Sequence, residues 1–235
     1  HDYYLKSLEI DPTFYDALFN LPRLEFDVYI KYIKDDSVVM SDLENCDEVL
    51  KNKSNFPLIK DLTSICKTFE SCFEIGLRSN STIGWDFYYN LALVYFEYIE
   101  TLCSDIPNVD AIFNPNNEIV LSLERCVNWF DQIFNYFESF NGEENEFFGI
   151  DSIVQVICDA YNLISTVNES MYSNQLLDIT NPIMEPLLNK IDKLANELLI
   201  NGMVHVSSGI ELRLAKLNQR SSSLYDFQSL IQCWN

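Results

Sequence analysis

The chain has 235 residues, and its 36 acidic side chains against 15 Lys and Arg give a formal net charge of −21 and a pI of about 4.2. Aromatic residues make up 14% of the chain, which excludes a disordered acidic tail because disorder accompanies few aromatics. No apolar run reaches about 18 residues, so we expect no membrane-spanning helix. The negative charge also disfavours direct binding to nucleic acid or anionic lipid, and we expect charged partners to be basic.

Seven cysteines and two histidines limit the metal and redox chemistry of the chain. Most of the cysteines fall in apolar stretches, as Cys66 and Cys158 do, which is typical of buried, reduced thiols in a cytoplasmic or nuclear protein. No C-x-x-C pair occurs and the histidines are His1 and His205, so we expect no metal and no cofactor. We expect all of the following thiols to be free: Cys46, Cys66, Cys72, Cys103, Cys126, Cys158 and Cys233.

Apolar residues recur at intervals of three and four along most of the chain, which predicts amphipathic helices. Only 6 Gly and 7 Pro interrupt the pattern, and no segment combines strict alternation with a hairpin signal. We therefore predict an all-α protein with helix over more than half of its residues. The predicted helices cover residues 13–34, 58–77, 85–103, 117–140, 151–166, 186–200, 203–218 and 222–233.

The local composition also predicts where the connections between these helices lie. The pair Asn181-Pro182 predicts a helix start, because Asn caps helices and Pro suits a first turn. Polar residues at 35–56 and the Pro- and Asn-containing stretch at 104–116 predict loop insertions, and 141–146 predicts an acidic turn. We interpret residues 1–235 as one helical-repeat domain with these insertions.

Spaced aromatic and small residues resemble the tetratricopeptide repeat, a 34-residue pair of antiparallel helices. Tyr4, Ser7, Leu8 and Pro12 are similar to the end of its second helix: an aromatic, a small residue three later, Leu, and a closing Pro. The small residue lets a neighbouring helix approach while the aromatic fills the space beside it. Pro22 departs from the pattern, since a small residue is usual there.

A second stretch resembles the same family. Phe69 and Cys72 fit the aromatic and small positions, although Leu77 stands in place of the closing proline. Tyr88, Leu91, Ala92 and Tyr95 then resemble a first repeat helix. The resemblance covers about 100 residues and implies a tetratricopeptide-like solenoid of antiparallel helical pairs. An irregular α-helical bundle is the alternative.

Acidic residues are concentrated in the middle of the chain. Residues 79–189 contain 17 acidic residues and one basic residue, Arg125, whereas the remaining 124 residues contain 19 acidic and 14 basic ones. One interpretation is an ordinary solvated acidic face around an aromatic core. The other is a concave surface whose carboxylates and aromatic rings receive a Lys/Arg-rich peptide through charge-assisted hydrogen bonds and cation–π contacts.

The second interpretation predicts a set of partner-binding residues on two helices. Glu97 and Glu100 lie one turn apart, and Glu124, Asp131 and Glu138 recur every seven residues as one acidic line. We expect these carboxylates to be mostly exposed on one side, with Tyr95 or Trp129 partly exposed beside them. The predicted partner-binding residues are Tyr95, Glu97, Glu100, Glu124, Trp129, Asp131 and Glu138.

No catalytic motif accompanies this pattern: the sequence lacks phosphate-binding glycine loops, HExxH, GxSxG and EF-hand signatures. His205 lies between Val204 and Val206, a setting typical of a structural histidine. We therefore predict a non-enzymatic interaction module with no catalytic residues, whose acidic groove binds a basic protein or peptide. By analogy of fold alone, such a module resembles the acidic helical-repeat escorts of ribosomal proteins or histones. The alternative is a scaffold subunit of a stable complex that uses aromatic surface patches.

Overall fold

A computed structural model describes residues 1–34, 60–79, 83–104, 118–138, 149–171 and 177–223, with the backbone alone described at 104, 138, 170–171, 177–179 and 223. Over these ranges the chain forms helices and no strand. The helices are α1 (Asp2–Ile10), α2 (Tyr15–Tyr32), α3 (Leu62–Arg78), α4 (Trp85–Ser104), α5 (Glu118–Glu138), α6 (Ile150–Met171), α7 (Leu177–Ile200) and α8 (Val206–Ser223). They account for more than half of the chain, which confirms the all-α prediction.

Helix α7 begins earlier than Asn181-Pro182 predicted. It starts at Leu177 and contains both Pro182 and Pro186. An interior proline removes a backbone hydrogen bond and costs a helix about 3 kcal/mol. Burial of Met184 and Leu187, each 2% exposed, supplies packing that offsets this cost. The same holds for α2, which continues through a buried Pro22.

The chain divides into two compact units, His1–Val94 and Tyr95–Asn235. In the first, α2 packs against both α1 and α3. The ring of Phe87 is fully buried and lies edge-on to Phe19 and Phe73, each at a centroid distance of 5.6 Å, and to Phe69 at 6.5 Å. These aromatic contacts form the core of the first unit.

A charged residue is buried beside that core. The Glu25 side chain is fully buried, and its Oε1 lies 2.6 Å from Lys60 Nζ and 3.3 Å from His1 Nε2. Its Oε2 has no hydrogen-bond partner among the described residues. Burial, together with the Glu25 charge, raises the pKa of the neighbouring Cys72 thiol to about 12.

In the second unit, α6 packs against both α7 and α8, and α5 packs against α7. Phe130 and Phe134 stack in its core, and Tyr161 is fully buried between helices. The Tyr161 hydroxyl donates to Asp192 Oδ1 at 2.6 Å, and Lys216 Nζ lies 2.8 Å from the same oxygen. This polar junction joins α6, α7 and α8.

Several sequence predictions fall outside the described residues. The predicted insertions at 35–56 and 104–116 lie there except for Ser104, and so do the acidic turn at 141–146 and most of the predicted helix at 222–233. Cys46 and Cys233 also lie there, whereas the other cysteines form no disulfide. None of the described helices is long and apolar enough to cross a bilayer.

Candidate functional site

Helices α6 and α8 run side by side in the same direction. Near their N-terminal ends the Ser208 hydroxyl donates to Asp151 Oδ1 at 2.8 Å. Farther along, residues 162–169 of α6 face residues 218–222 of α8 across an open cleft. We name this junction the α6–α8 seam.

The cleft at the C-terminal end of the seam has a volume of about 280 Å³ and only polar residues line it. The set comprises amides, hydroxyls and one carboxylate, and contains no Lys, Arg or His. Its members are Asn162, Ser165, Thr166 and Glu169 from α6 and Asn218, Ser221 and Ser222 from α8.

The serine hydroxyls of the cleft already donate their protons to helix carbonyls. Ser165 donates to the carbonyl of Tyr161 at 3.0 Å, and Ser222 donates to that of Gln219 at 2.7 Å. Ser221 makes the same kind of bond within α8. A hydroxyl that has donated its proton keeps only lone pairs for a further partner. These serines therefore offer the cleft hydrogen-bond acceptors.

Carboxylates add further hydrogen-bond acceptors along both helices. On α6, Asp159 precedes Asn162 by three residues and Glu169 follows Thr166 by three, so they share one face. On α8, Glu211 lies two turns before Asn218 on the same face. Helix α6 has no Lys or Arg. The described seam therefore presents acceptors and negative charge.

The pKa of the Cys158 thiol on α6 is sensitive to the charge of the seam carboxylates. Cys158 is half-buried on α6, and burial raises its pKa to about 11, with added contributions from the carboxylates of Asp159 and Glu211. A negative charge disfavours a nearby thiolate, so both carboxylates lie close enough to Cys158 for their charges to act on it. Asp159 of α6 and Glu211 of α8 thus both add negative charge near this thiol.

The Lys and Arg side chains of α8 lie away from Glu211 and Asn218. Lys216 Nζ is engaged by Asp192 and by Asn196 Oδ1 of α7, the latter at 3.0 Å. Arg213 and Arg220 lie on the side of α8 opposite Glu211 and Asn218, because they are separated from those residues by about half a helical turn. Within the described residues, the cations of α8 thus lie on the side of that helix away from Glu211 and Asn218.

The sequence-predicted site residues are placed on α4 and α5. Glu100 and Glu124 are exposed, Glu97 is half-buried, and the side chain of Glu138 lies outside the described residues. Asp131 forms an ion pair with Lys190, whose Nζ lies 2.6 Å from Asp131 Oδ1. Two of the predicted carboxylates are thus at the surface, and a third is paired within the chain.

The two predicted aromatic residues differ in exposure. Tyr95 is only 2% exposed, and Arg125 both donates to its hydroxyl at 2.8 Å and lies over its ring at 5.8 Å. Its ring face is therefore occupied by the cation of its own chain. Trp129 is half-buried.

Sequence reasoning missed the cleft. Asn162 and Glu169 belong to the acidic segment, but they give the same signal as any solvated helix face. Asn218 and Ser222 lie outside that segment, and nothing in the sequence places α8 beside α6. The absence of Lys and Arg from α6 was the one available signal.

No protein-family model matches the chain, and neither does any curated protein or solved structure. The described residues contain no group of three or more His, Cys, Asp or Glu that could hold a metal ion. A functional proposal therefore depends on the chemistry of the seam itself.

Proposed function

We propose that the chain is a non-enzymatic interaction module that binds a Lys/Arg-rich segment of a basic protein along the α6–α8 seam. The observation that carries this proposal is the cleft, whose described lining supplies acceptors and a carboxylate and no cation. Charge-assisted hydrogen bonds to such acceptors are about twice as strong as neutral ones. The module would act as an escort in the cytoplasm or nucleus, shielding basic clients such as ribosomal proteins or histones.

The helix packing supports a repeat architecture for this role. Helix α5 packs against α7, and α6 packs against α8, so alternate helices are neighbours. That arrangement is typical of tetratricopeptide-like helical pairs, whose successive first helices line a binding surface. We therefore propose a diverged solenoid of this kind, in which the seam forms part of the surface that receives the client.

Binding at two salt concentrations tests the proposal. The probe is a fluorescent twelve-residue peptide of alternating Lys and Arg, and we expect its dissociation constant to rise at least tenfold between about 50 and 300 mM salt, because exposed charges are screened. The double variant Asp159→Asn, Glu211→Gln should weaken binding several-fold at low salt. Glu185→Gln, Glu197→Gln removes two exposed charges from α7 and serves as the matched control.

Two outcomes contradict the proposal. Absence of binding at 50 mM salt is one. The other is equal weakening by the seam variant and by the α7 control, because the effect would then follow net charge alone.

A specific surface favours the scaffold alternative as a second candidate. Val206, Ile210, Leu214 and Leu217 form one line on the outer face of α8, and they are 82%, 51%, 53% and 59% exposed. Their spacing of four, four and three places them on one side of the helix. Contiguous exposed apolar surface marks interaction sites. The line is aliphatic, whereas the sequence predicted aromatic patches.

This candidate makes a different prediction about salt. Burial of an aliphatic line depends little on ionic strength. We expect the double variant Leu214→Gln, Leu217→Gln to remain folded and to lose partners whose retention is insensitive to salt. Retention of those partners by the variant would exclude the α8 line as their binding surface.

A further inference from the structure

We infer that the cleft between residues 162–169 and 218–222 is an arginine subsite, which takes the guanidinium of one arginine side chain from the basic segment. This inference rests on the proposed function and specifies the ligand of the same seam. It commits to arginine over lysine, although both carry one positive charge.

The number and placement of acceptors favour a guanidinium. Arginine has five N–H donors in a rigid plane, whereas a lysine ammonium has three donors at a single point. Acceptors line the cleft from two helices. Helix α6 supplies the carboxylate of Glu169 and the amide oxygen of Asn162, and α8 supplies the amide oxygen of Asn218 and the hydroxyl oxygen of Ser222. A planar fork can reach both walls at once.

Hydration favours the same choice. The ammonium group is strongly hydrated, and the guanidinium more weakly, so arginine loses less when water is removed from it. Two of the cleft's serines have little contact with water, since Ser165 is 8% and Ser222 is 3% exposed. A cation that binds to these hydroxyls must lose part of its hydration shell.

The cleft is also suited to a side chain more than to a free anion or a large ligand. At about 280 Å³ it lies just below the range of small-molecule pockets, which begins near 300 Å³. The described lining carries the Glu169 carboxylate and no Lys, Arg or His, so it disfavours an anion even though Asn162 and Asn218 can donate hydrogen bonds. The open side lets an arginine enter from a segment that lies along the seam, near Asp159 and Glu211.

Three matched peptides test the inference. The probes are fluorescent twelve-residue peptides in which Gly-Ser-Arg, Gly-Ser-Lys or Gly-Ser-citrulline is repeated four times; citrulline keeps the shape of arginine without its charge. We expect the arginine peptide to bind at least fivefold more tightly than the lysine peptide, and the citrulline peptide to bind much more weakly than either.

Variants of the cleft should remove the preference for arginine. Glu169→Gln should weaken the arginine peptide about fivefold to tenfold and the lysine peptide less, and Ser222→Ala should act in the same direction. The matched controls are Glu185→Gln, an exposed residue of α7, and Ser122→Ala, a buried serine of α5. Thermal unfolding checks that each variant is folded. Glu169→Gln keeps the test valid if Ser222→Ala is unstable, because Glu169 is exposed.

The outcomes separate the two proposals. If both basic peptides bind equally well and Glu169→Gln changes neither, the arginine subsite is wrong while the seam proposal stands. If neither basic peptide binds at low salt, the proposed function fails and the subsite fails with it.

Discussion

Lys190 of α7 lies with its Nζ 2.6 Å from Oδ1 of Asp131 on α5 and 2.6 Å from Oδ1 of Asn135. Asp131 is the centre of the acidic line that seven-residue spacing predicted. The cation that neutralises it comes one residue after the acidic segment 79–189. Because the chain itself occupies this carboxylate, a client would have to displace Lys190 to use it.

The first prediction concerns this ion pair. Lys190→Met should lower the free energy of unfolding by about 1–2 kcal/mol, since the side chain is only 18% exposed and makes two contacts. Lys193→Met on the same helix is the control, because Lys193 is exposed, and its effect should stay within about 0.5 kcal/mol. Urea denaturation followed by circular dichroism measures both. Equal effects of the two substitutions would show that the ion pair does not stabilise the fold.

The helices could be predicted from the sequence because their apolar spacing is regular and few Gly or Pro interrupt it. The predicted helix at 85–103 matches α4 to within one residue. The start of α7 could not be predicted, because Pro182 normally marks a first turn and only burial of residues such as Met184 and Leu187 explains its interior position.

The candidate site was harder to predict than the fold. Its acidity follows from the counts in residues 79–189, yet the residues proposed from spacing lie on α4 and α5. Tyr95, predicted as a partner-binding ring, is buried and covered by Arg125, and Asp131 is paired with Lys190. Such pairings join residues 30 and 59 positions apart, and helical periodicity carries no information on contacts of that range.

A second prediction concerns the ion pair between the fully buried Glu25 and the partly exposed Lys60. Lys60→Met should destabilise the protein more than Glu25→Gln does, by about 3 kcal/mol against about 1–2 kcal/mol. The reason is that Lys60 is 30% exposed and keeps access to water, whereas the Glu25 side chain is fully buried and would lose its main partner. The exposed Lys67→Met is the control. The reverse order of the two effects in chemical denaturation would contradict this account.

A third prediction concerns pH and Asp192. Partial burial raises the pKa of this carboxyl, but hydrogen bonds from Lys216 and Tyr161 outweigh it and hold the pKa below its ordinary value of 3.8. A depressed pKa in the folded state means that the carboxylate stabilises the protein above about pH 4 and that this contribution is lost as pH falls through the folded pKa.

The variant Asp192→Asn should therefore be less stable than the parent chain by about 1–2 kcal/mol at pH 7, and the difference should shrink towards pH 3. Thermal unfolding at a series of pH values measures this. Asp27→Asn, at an exposed position of α2, is the control and should change stability little. A difference that grows on acidification would mean that the Asp192 charge is unfavourable in the folded state.

The last prediction uses Cys158 as a reporter of the carboxylates at the seam. Because its pKa is raised to about 11, only about one thiol in a thousand is ionised at pH 8, and alkylation by iodoacetamide should be slow. Burial is the first cause of this shift, and the charges of Asp159 and Glu211 add to it. The double variant Asp159→Asn, Glu211→Gln should therefore accelerate alkylation of Cys158 a few-fold without bringing it to the rate of an exposed thiol. Peptide mapping by mass spectrometry resolves Cys158 from the other cysteines, and Glu185→Gln, Glu197→Gln controls for net charge. An unchanged rate in the seam variant would mean that these carboxylates do not act at the seam, and it would remove the electrostatic support for a basic segment there.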